Sequence, residues 1–183
     1  MNYAEIKTCD IANGTGVRTA LFVSGCRHAC PGCFNAIAWD FNMGEPWTSE
    51  VEDRVVDSIR PSYIEGITLL GGEPMEPENQ EALVVLLERI RQELPEKSIW
   101  MYSGFTWEEL TVEESRARTP YTERILRTLD VLVDGRWMQE LYDISLRFRG
   151  SSNQRLIDVP ASLAAGEVVP WEDEKVFATH TWE

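Results

Sequence analysis

The sequence predicts an α/β protein built on a parallel sheet with crossover helices. Short apolar runs that end in turn residues alternate with longer stretches of helical periodicity, the order expected of strand–helix–strand units. Four of the runs stop at unusual loops: the segment Cys26 to Cys33, Gly71-Gly72-Glu73, Ser103-Gly104 and Asp134-Gly135. Parallel sheets gather their chemistry at the C-terminal ends of their strands, so these four loops should share one rim. The 183 residues, 43% apolar and 26% charged, are enough for one domain with a sizeable core.

Taken in order, Asn13-Gly14-Thr15-Gly16 predicts a tight turn, and Val17 to Ser24 the first strand, buried on both faces. Ser24-Gly25 ends it and the cysteine loop begins. Trp39, Phe41 and Trp47 follow, either shielding that loop from water or packing it. Ser49 with Glu52 predicts a capping box for a helix from about Glu50 to Ile59, stopped before Pro61. Ile64 to Leu70 is the second strand. Asn79 to Leu94 is the clearest helix, because Leu83, Leu87, Ile90 and Leu94 recur at helical spacing. Ser98 to Tyr102 is the third strand. Thr106 and Glu109 predict another capping box and a short helix. Tyr121 to Leu129 is a further helix, Val131 to Val133 the fourth strand, and Gln154 to Val159 one more. From about Ala161 the chain reads as an acidic appendage with Glu167, Glu172, Asp173 and Glu174, and with strand character at Val168-Val169. No repeat or low-complexity linker divides the sequence, so residues 1–183 are read as one domain, with no role assigned to 161–183.

The chemistry concentrates in Cys26, Cys30 and Cys33, at spacings of four and three, with Pro31-Gly32 turning the loop so that three thiolates can aim at one point. Zinc would need a fourth ligand from His28, Cys9 or His180, or a water. An iron–sulfur cube held by three thiolates would keep one iron open to a ligand. The residues alone leave both readings standing. Paired glycines allow close backbone approach, and Glu73 beside them suits an ammonium group. Ser103 and Asp134 suit a polar group or a ribose. A ligand with an amine, a carboxylate and a ribose, set against an open iron, describes S-adenosylmethionine. His28 is expected to face solvent or pack locally, Cys9 to be a small buried residue, and Arg149 and Arg155 to make surface ion pairs. The net charge of −14 argues against a nucleic-acid backbone as the main partner. No apolar run is long enough to span a membrane, and Met1-Asn2-Tyr3-Ala4-Glu5 does not look like a signal peptide, so a cytoplasmic location with reduced thiols is expected.

Cys26-x3-Cys30-x2-Cys33 followed by Phe34 resembles the signature of the radical S-adenosylmethionine superfamily, and Gly71-Gly72-Glu73-Pro74 resembles its second motif. Asn13 to Arg18 is similar to the Gly-Pro-Gly-x-Arg stretch of glycyl-radical-enzyme activases, with Thr15 in place of the proline. Cys30-Pro31-Gly32-Cys33-Phe34-Asn35, Leu132-Val133-Asp134-Gly135 and Arg149-Gly150-Ser151-Ser152-Asn153-Gln154 most resemble the activating enzymes of anaerobic ribonucleoside-triphosphate reductases. The resemblance covers roughly residues 3–155.

This resemblance implies a [4Fe-4S] cluster on Cys26, Cys30 and Cys33. It implies S-adenosylmethionine on the fourth iron, bound by Gly32, Cys33, Phe34, Gly71, Gly72, Glu73, Pro74, Ser103 and Asp134. An electron from a flavodoxin or ferredoxin would break the sulfur–C5′ bond. The resulting radical would take a hydrogen from a glycine of the reductase, with no catalytic side chain beyond the cluster and the cofactor. The implied fold is a (β/α) barrel; a closed one typically needs ~250 residues, so this chain is expected to form an incomplete, open barrel that admits a peptide loop from a large partner. The rival readings are an activase of a pyruvate formate-lyase-like enzyme, a small-molecule radical enzyme, and a zinc-stabilised binding module without activity.

Overall fold

Four apolar segments that run parallel build the centre of the protein. A computed structural model describes residues 1–112 and 114–173. Strands β1 (Asn2–Asp10), β2 (Arg18–Val23), β3 (Glu45–Pro46), β4 (Gly66–Gly71), β5 (Ser98–Ser103), β6 (Val131–Asp134) and β7 (Arg155–Asp158) form one sheet in the order β3-β1-β2-β4-β5-β6-β7. β2, β4, β5 and β6 run parallel, as the sequence predicts. The flanking pairs β3–β1, β1–β2 and β6–β7 are antiparallel, so the sheet is mixed.

Helices α1 (Ser49–Ile59), α2 (Pro77–Glu93), α3 (Trp107–Thr111) and α4 (Thr122–Leu126) fill the crossovers between the parallel strands, and α5 (Val159–Ala165) follows β7. All five contribute to one buried core with Leu21, Leu69, Met101, Leu132 and Ile157, which stand side by side across the sheet on the same face. The opposite face carries a smaller cluster of Trp100, Val131 and Val133 with Tyr102, Phe148, Leu156 and Trp171. This alternation along each strand follows from the period of two in strand side chains. The helices therefore cover one face, and the other is left for the site.

Several expectations are corrected. The sequence suggests no strand before Val17; residues 2–10 form β1, a partly covered outer strand paired with β2 and β3. Thr48, not a Ser49–Glu52 box, caps α1, its Oγ1 accepting from Val51 N. The Thr106–Glu109 capping box forms with both bonds. Residues 161–173 are not a free appendage. Residues 161–165 belong to α5, which Asp158 caps, and Trp171 lies 5.0 Å from Trp100. Val168-Val169 forms no strand; one isolated bridge joins Ile157 to Pro170. Glu174 and His180 lie outside the described residues.

The rim away from the cysteines is closed by Arg18, the first residue of β2. Its buried guanidinium donates to Thr68 Oγ1, Ser98 Oγ, Ile67 O and Ser98 O, tying β2, β4 and β5 at their N-terminal ends. Burial pushes its pKa down to about 10, so it remains charged at neutral pH. The Asn13–Arg18 stretch thus lies at the opposite end of β2 from the cysteine loop.

Candidate functional site

Because β2, β4, β5 and β6 are parallel, the loops that follow them emerge on one rim. The cysteine loop leaves β2. Its backbone takes the left-handed conformation at Ala29 (φ 47°) and Gly32 (φ 71°), which lets it coil, and Cys33 N donates to Cys30 O. Cys26, Cys30 and Cys33 are free thiols, each half-buried, and all three line a cavity of about 180 Å³. Phe22, Leu70 and Tyr102, from the helix-free face of the sheet, also line it, together with Gly71, Gly72, Glu73 and Ser103. Burial pushes the Cys26 thiol up to about 11 and raises that of Cys30 as well, with Cys33 adding to the latter. Loading a cation onto these sulfurs therefore releases protons. Among the described residues, no three His, Cys, Asp or Glu side chains form a group ready to hold a single metal ion.

Glu73 is the hub of the rim. Its buried carboxylate accepts from Met75 N and Ser103 Oγ at Oε1, both at 2.8 Å, and from Gly104 N at Oε2 at 2.6 Å. His28 completes the set: Arg136 Nε donates to its Nδ1, so the ring proton sits on Nε2, 3.0 Å from Glu73 Oε2. The expectation that His28 packs locally holds, and solvent exposure does not: its side chain is 3% exposed and rests on Phe105 with ring centres 4.4 Å apart. Gly104 makes this possible, since a Cβ there would lie 2.5 Å from His28 Cδ2. The paired glycines approach a backbone closely, namely that of residues 22–25. Gly71 takes φ 109°, and a Cβ on it would stand 2.7 Å from Val23 O.

The other predicted site residues lie around this hub. Pro74, next after Glu73 in the chain, is buried. Gly32 faces the Gln139 side chain. Phe34 is 87% exposed and meets Trp137 edge-on at 5.7 Å. Asp134 is buried and accepts from Trp107 N and from Arg155 Nε and Nη2; it lines a second cavity, of about 700 Å³, next to the first. Both cavities share His28, Cys30, Gly135 and Trp137. Arg155 makes the expected ion pairs, with Asp134 and Glu108, whereas Arg149 donates to Gln154 O. Cys9 is exposed rather than buried, on an outer strand far along the chain from the rim. Of the three aromatics after the loop, Trp39 lines the cysteine cavity, Phe41 lies under Arg27, and Trp47 packs on Tyr3.

A family model described as a 4Fe-4S single cluster domain matches residues 12–157. The anaerobic ribonucleoside-triphosphate reductase-activating protein of Escherichia coli strain K12 is 42% identical over 156 residues, which is 84% of this chain and 96% of the relative. The proteins of that name from Vibrio cholerae serotype O1 and Enterobacteria phage T4 are 41% and 37% identical, over 84% and 85% of this chain and 96% and 93% of theirs. The chain belongs to the family of anaerobic ribonucleoside-triphosphate reductase-activating proteins. Its 4Fe-4S domain takes in every rim loop, and the three thiols lining one cavity are a donor set suited to such a cluster. Within this family member, sequence reading missed four rim residues. Glu76 ends the turn that follows Glu73, its N–H donating to Glu73 O, and Asn79 lies in the first turn of α2; Asn79 Nδ2 donates to Ser24 O and Glu73 O. Arg136 and Trp137 carried no local signal, since both reach the site only through the fold.

Proposed function

We propose that this chain is a radical S-adenosylmethionine enzyme that installs the glycyl radical on an anaerobic ribonucleoside-triphosphate reductase. The observation that carries the proposal is the cavity shared by Cys26, Cys30, Cys33, Gly71, Gly72, Glu73 and Ser103. Cys26, Cys30 and Cys33 would hold a [4Fe-4S] cluster, and Gly32, Phe34, Gly71, Gly72, Glu73, Pro74, Ser103 and Asp134 would form the surroundings of S-adenosylmethionine. When bound, these groups supply one-electron cleavage of the sulfur–C5′ bond and the radical that takes the glycine hydrogen. The protein's part is placement. Glu73 locks the loops after β4 and β5 to His28 of the cysteine loop, and apolar Phe22, Leu70 and Tyr102 line the cavity.

The names of the relatives supply the partner, and a flavodoxin or ferredoxin is the proposed electron donor. The sheet is read as part of an open (β/α) barrel, with residues 1–183 as one domain. Helices on one face and a cavity on the other support this, as does a length below the ~250 residues of closed barrels. An open side suits a protein substrate. Phe34, Ile37, Met138, Leu141, Tyr142 and Ile144 leave large apolar side chains exposed on the two segments beside the cavity. Among the described residues no helix is long and apolar enough to cross a membrane, and the proposed location is the cytoplasm.

Anaerobic reconstitution with iron and sulfide tests the function. The reduced protein should give an electron paramagnetic resonance signal that changes on adding S-adenosylmethionine. It should release 5′-deoxyadenosine and raise a glycyl-radical doublet on the reductase. A colourless protein that binds zinc and cleaves nothing would remove the proposal.

A further inference from the structure

We infer that Glu76 is a positioning residue for the cysteine loop, acting through the backbone N–H of Arg27. The inference rests on the cluster reading above. Glu76 stands at the N-cap of α2 and is fully buried. Its Oε1 accepts from Arg27 N at 2.8 Å and from Arg116 Nη2 at 3.2 Å, and its Oε2 accepts from Arg27 Nη1 at 2.8 Å. The residue directly after Cys26 is therefore held at backbone and side chain by one carboxylate.

The rest of Arg27 continues the clamp. Its guanidinium also donates to Glu78 and lies 4.3 Å from the centre of the Phe41 ring, which itself closes over Gly25. Arg116 reaches Glu76 from the segment after α3 and lies 4.9 Å from the Phe105 ring, against which His28 also rests. Cys26 to Cys30 spans no helix or strand. Its arc is instead fastened at consecutive residues to two buried carboxylates in the turn before α2, Arg27 to Glu76 and His28 to Glu73. Glu73 also organises the loops around the cavity. Among the described residues the Glu76 carboxylate bonds only Arg27 and Arg116, so its side chain acts on where the first cysteine sits.

Hydrogen bonds from two guanidinium groups and a loop amide onto one carboxylate are short and directional. Fixing a ligand-bearing loop from outside the ligand set typically changes metal affinity about 10–100-fold. Glu76→Ala removes the anchor. Glu76→Gln keeps an acceptor for the Arg27 N–H without the charge, and Arg27→Ala keeps the N–H without the ion pair.

The full-length protein and these variants should be reconstituted anaerobically. Release of iron to a chelator would be followed optically, and the reduced-cluster resonance recorded. Glu76→Ala should lose iron about 10–100-fold faster than the parent, with altered resonance line shape, while the apo-protein melts close to the parent. Glu76→Gln and Arg27→Ala should fall between the two, since each keeps the anchor to the amide. Should Glu76→Ala not fold, the intermediate release rate of Glu76→Gln decides. Parent-like release and spectrum in Glu76→Ala would overturn the inference, as would a loss that simply tracks the apo melting temperature. A parent protein that takes up no cluster at all overturns the cluster reading, and this inference with it.

Discussion

His28 shows how a single side chain acquires a task from its surroundings. A histidine between cysteines reads as a candidate ligand or an exposed side chain. Here it is enclosed by Phe105, Glu73 and Arg136, and its two nitrogens serve one acceptor and one donor. The space for it exists because residue 104 lacks a Cβ. Gly104→Ala should push His28 off Glu73, leaving a buried carboxylate oxygen with one partner fewer. We expect a destabilisation of about 1–3 kcal/mol in urea denaturation of the apo-protein, from overpacking. On the proposed function, S-adenosylmethionine binding should weaken in parallel. Parent stability in this variant would show that the ring relaxes freely and that the contact has no positioning value.

At the scale of elements, β7 and α3 meet through Arg155. Its guanidinium bridges the buried Asp134 at the end of β6 and Glu108 in the first turn of α3. Arg155→Ala leaves Asp134 buried with only the Trp107 amide. The cost should be about 2–3 kcal/mol, below that of a fully buried pair because the Arg155 side chain is 39% exposed. Arg155 also holds the Glu108 carboxyl at about 2, below its ordinary value of 4.5. A lowered carboxylate pKa contributes stability above the unfolded value and loses it as the pH falls toward the folded one. The stability gap between parent and Arg155→Ala should therefore be full above pH 4.5 and narrow as the pH drops toward 2. Denaturation curves at a series of pH values check this; a gap that widens in acid would contradict the assignment.

For the whole molecule, the site and the core are separate. The core between sheet and helices contains none of the four cysteines, and the cysteine cavity lies on the helix-free face at one rim. Chelating the iron should therefore leave the far-ultraviolet circular dichroism of the loaded protein unchanged. It should lower the melting temperature only by the linkage term for a ligand bound to the native state. Collapse of secondary structure on chelation would mean that the cluster is part of the fold, as in small metal-nucleated domains.

What the sequence determined by itself was local. Apolar runs with abrupt glycine endings marked β2, β4, β5 and β6, because strands need continuous apolar faces and glycine ends them cleanly. The helical period of Leu83, Leu87 and Ile90 marked α2, and the spacing of Cys26, Cys30 and Cys33 marked the loop of the proposed cluster. β1 was not legible, since a half-covered outer strand lacks an apolar run, and α5 was masked by the acidic composition that follows it. Only the tertiary structure decided which polar residues work together. Glu73 meeting Gly104 and His28, Glu76 holding Arg27, and Arg136 reaching His28 are contacts between loops 31, 45, 49 and 108 residues apart. No local propensity encodes such pairs. They arise because parallel strands return every loop to the same rim, where buried carboxylates must find donors among whatever the other loops present.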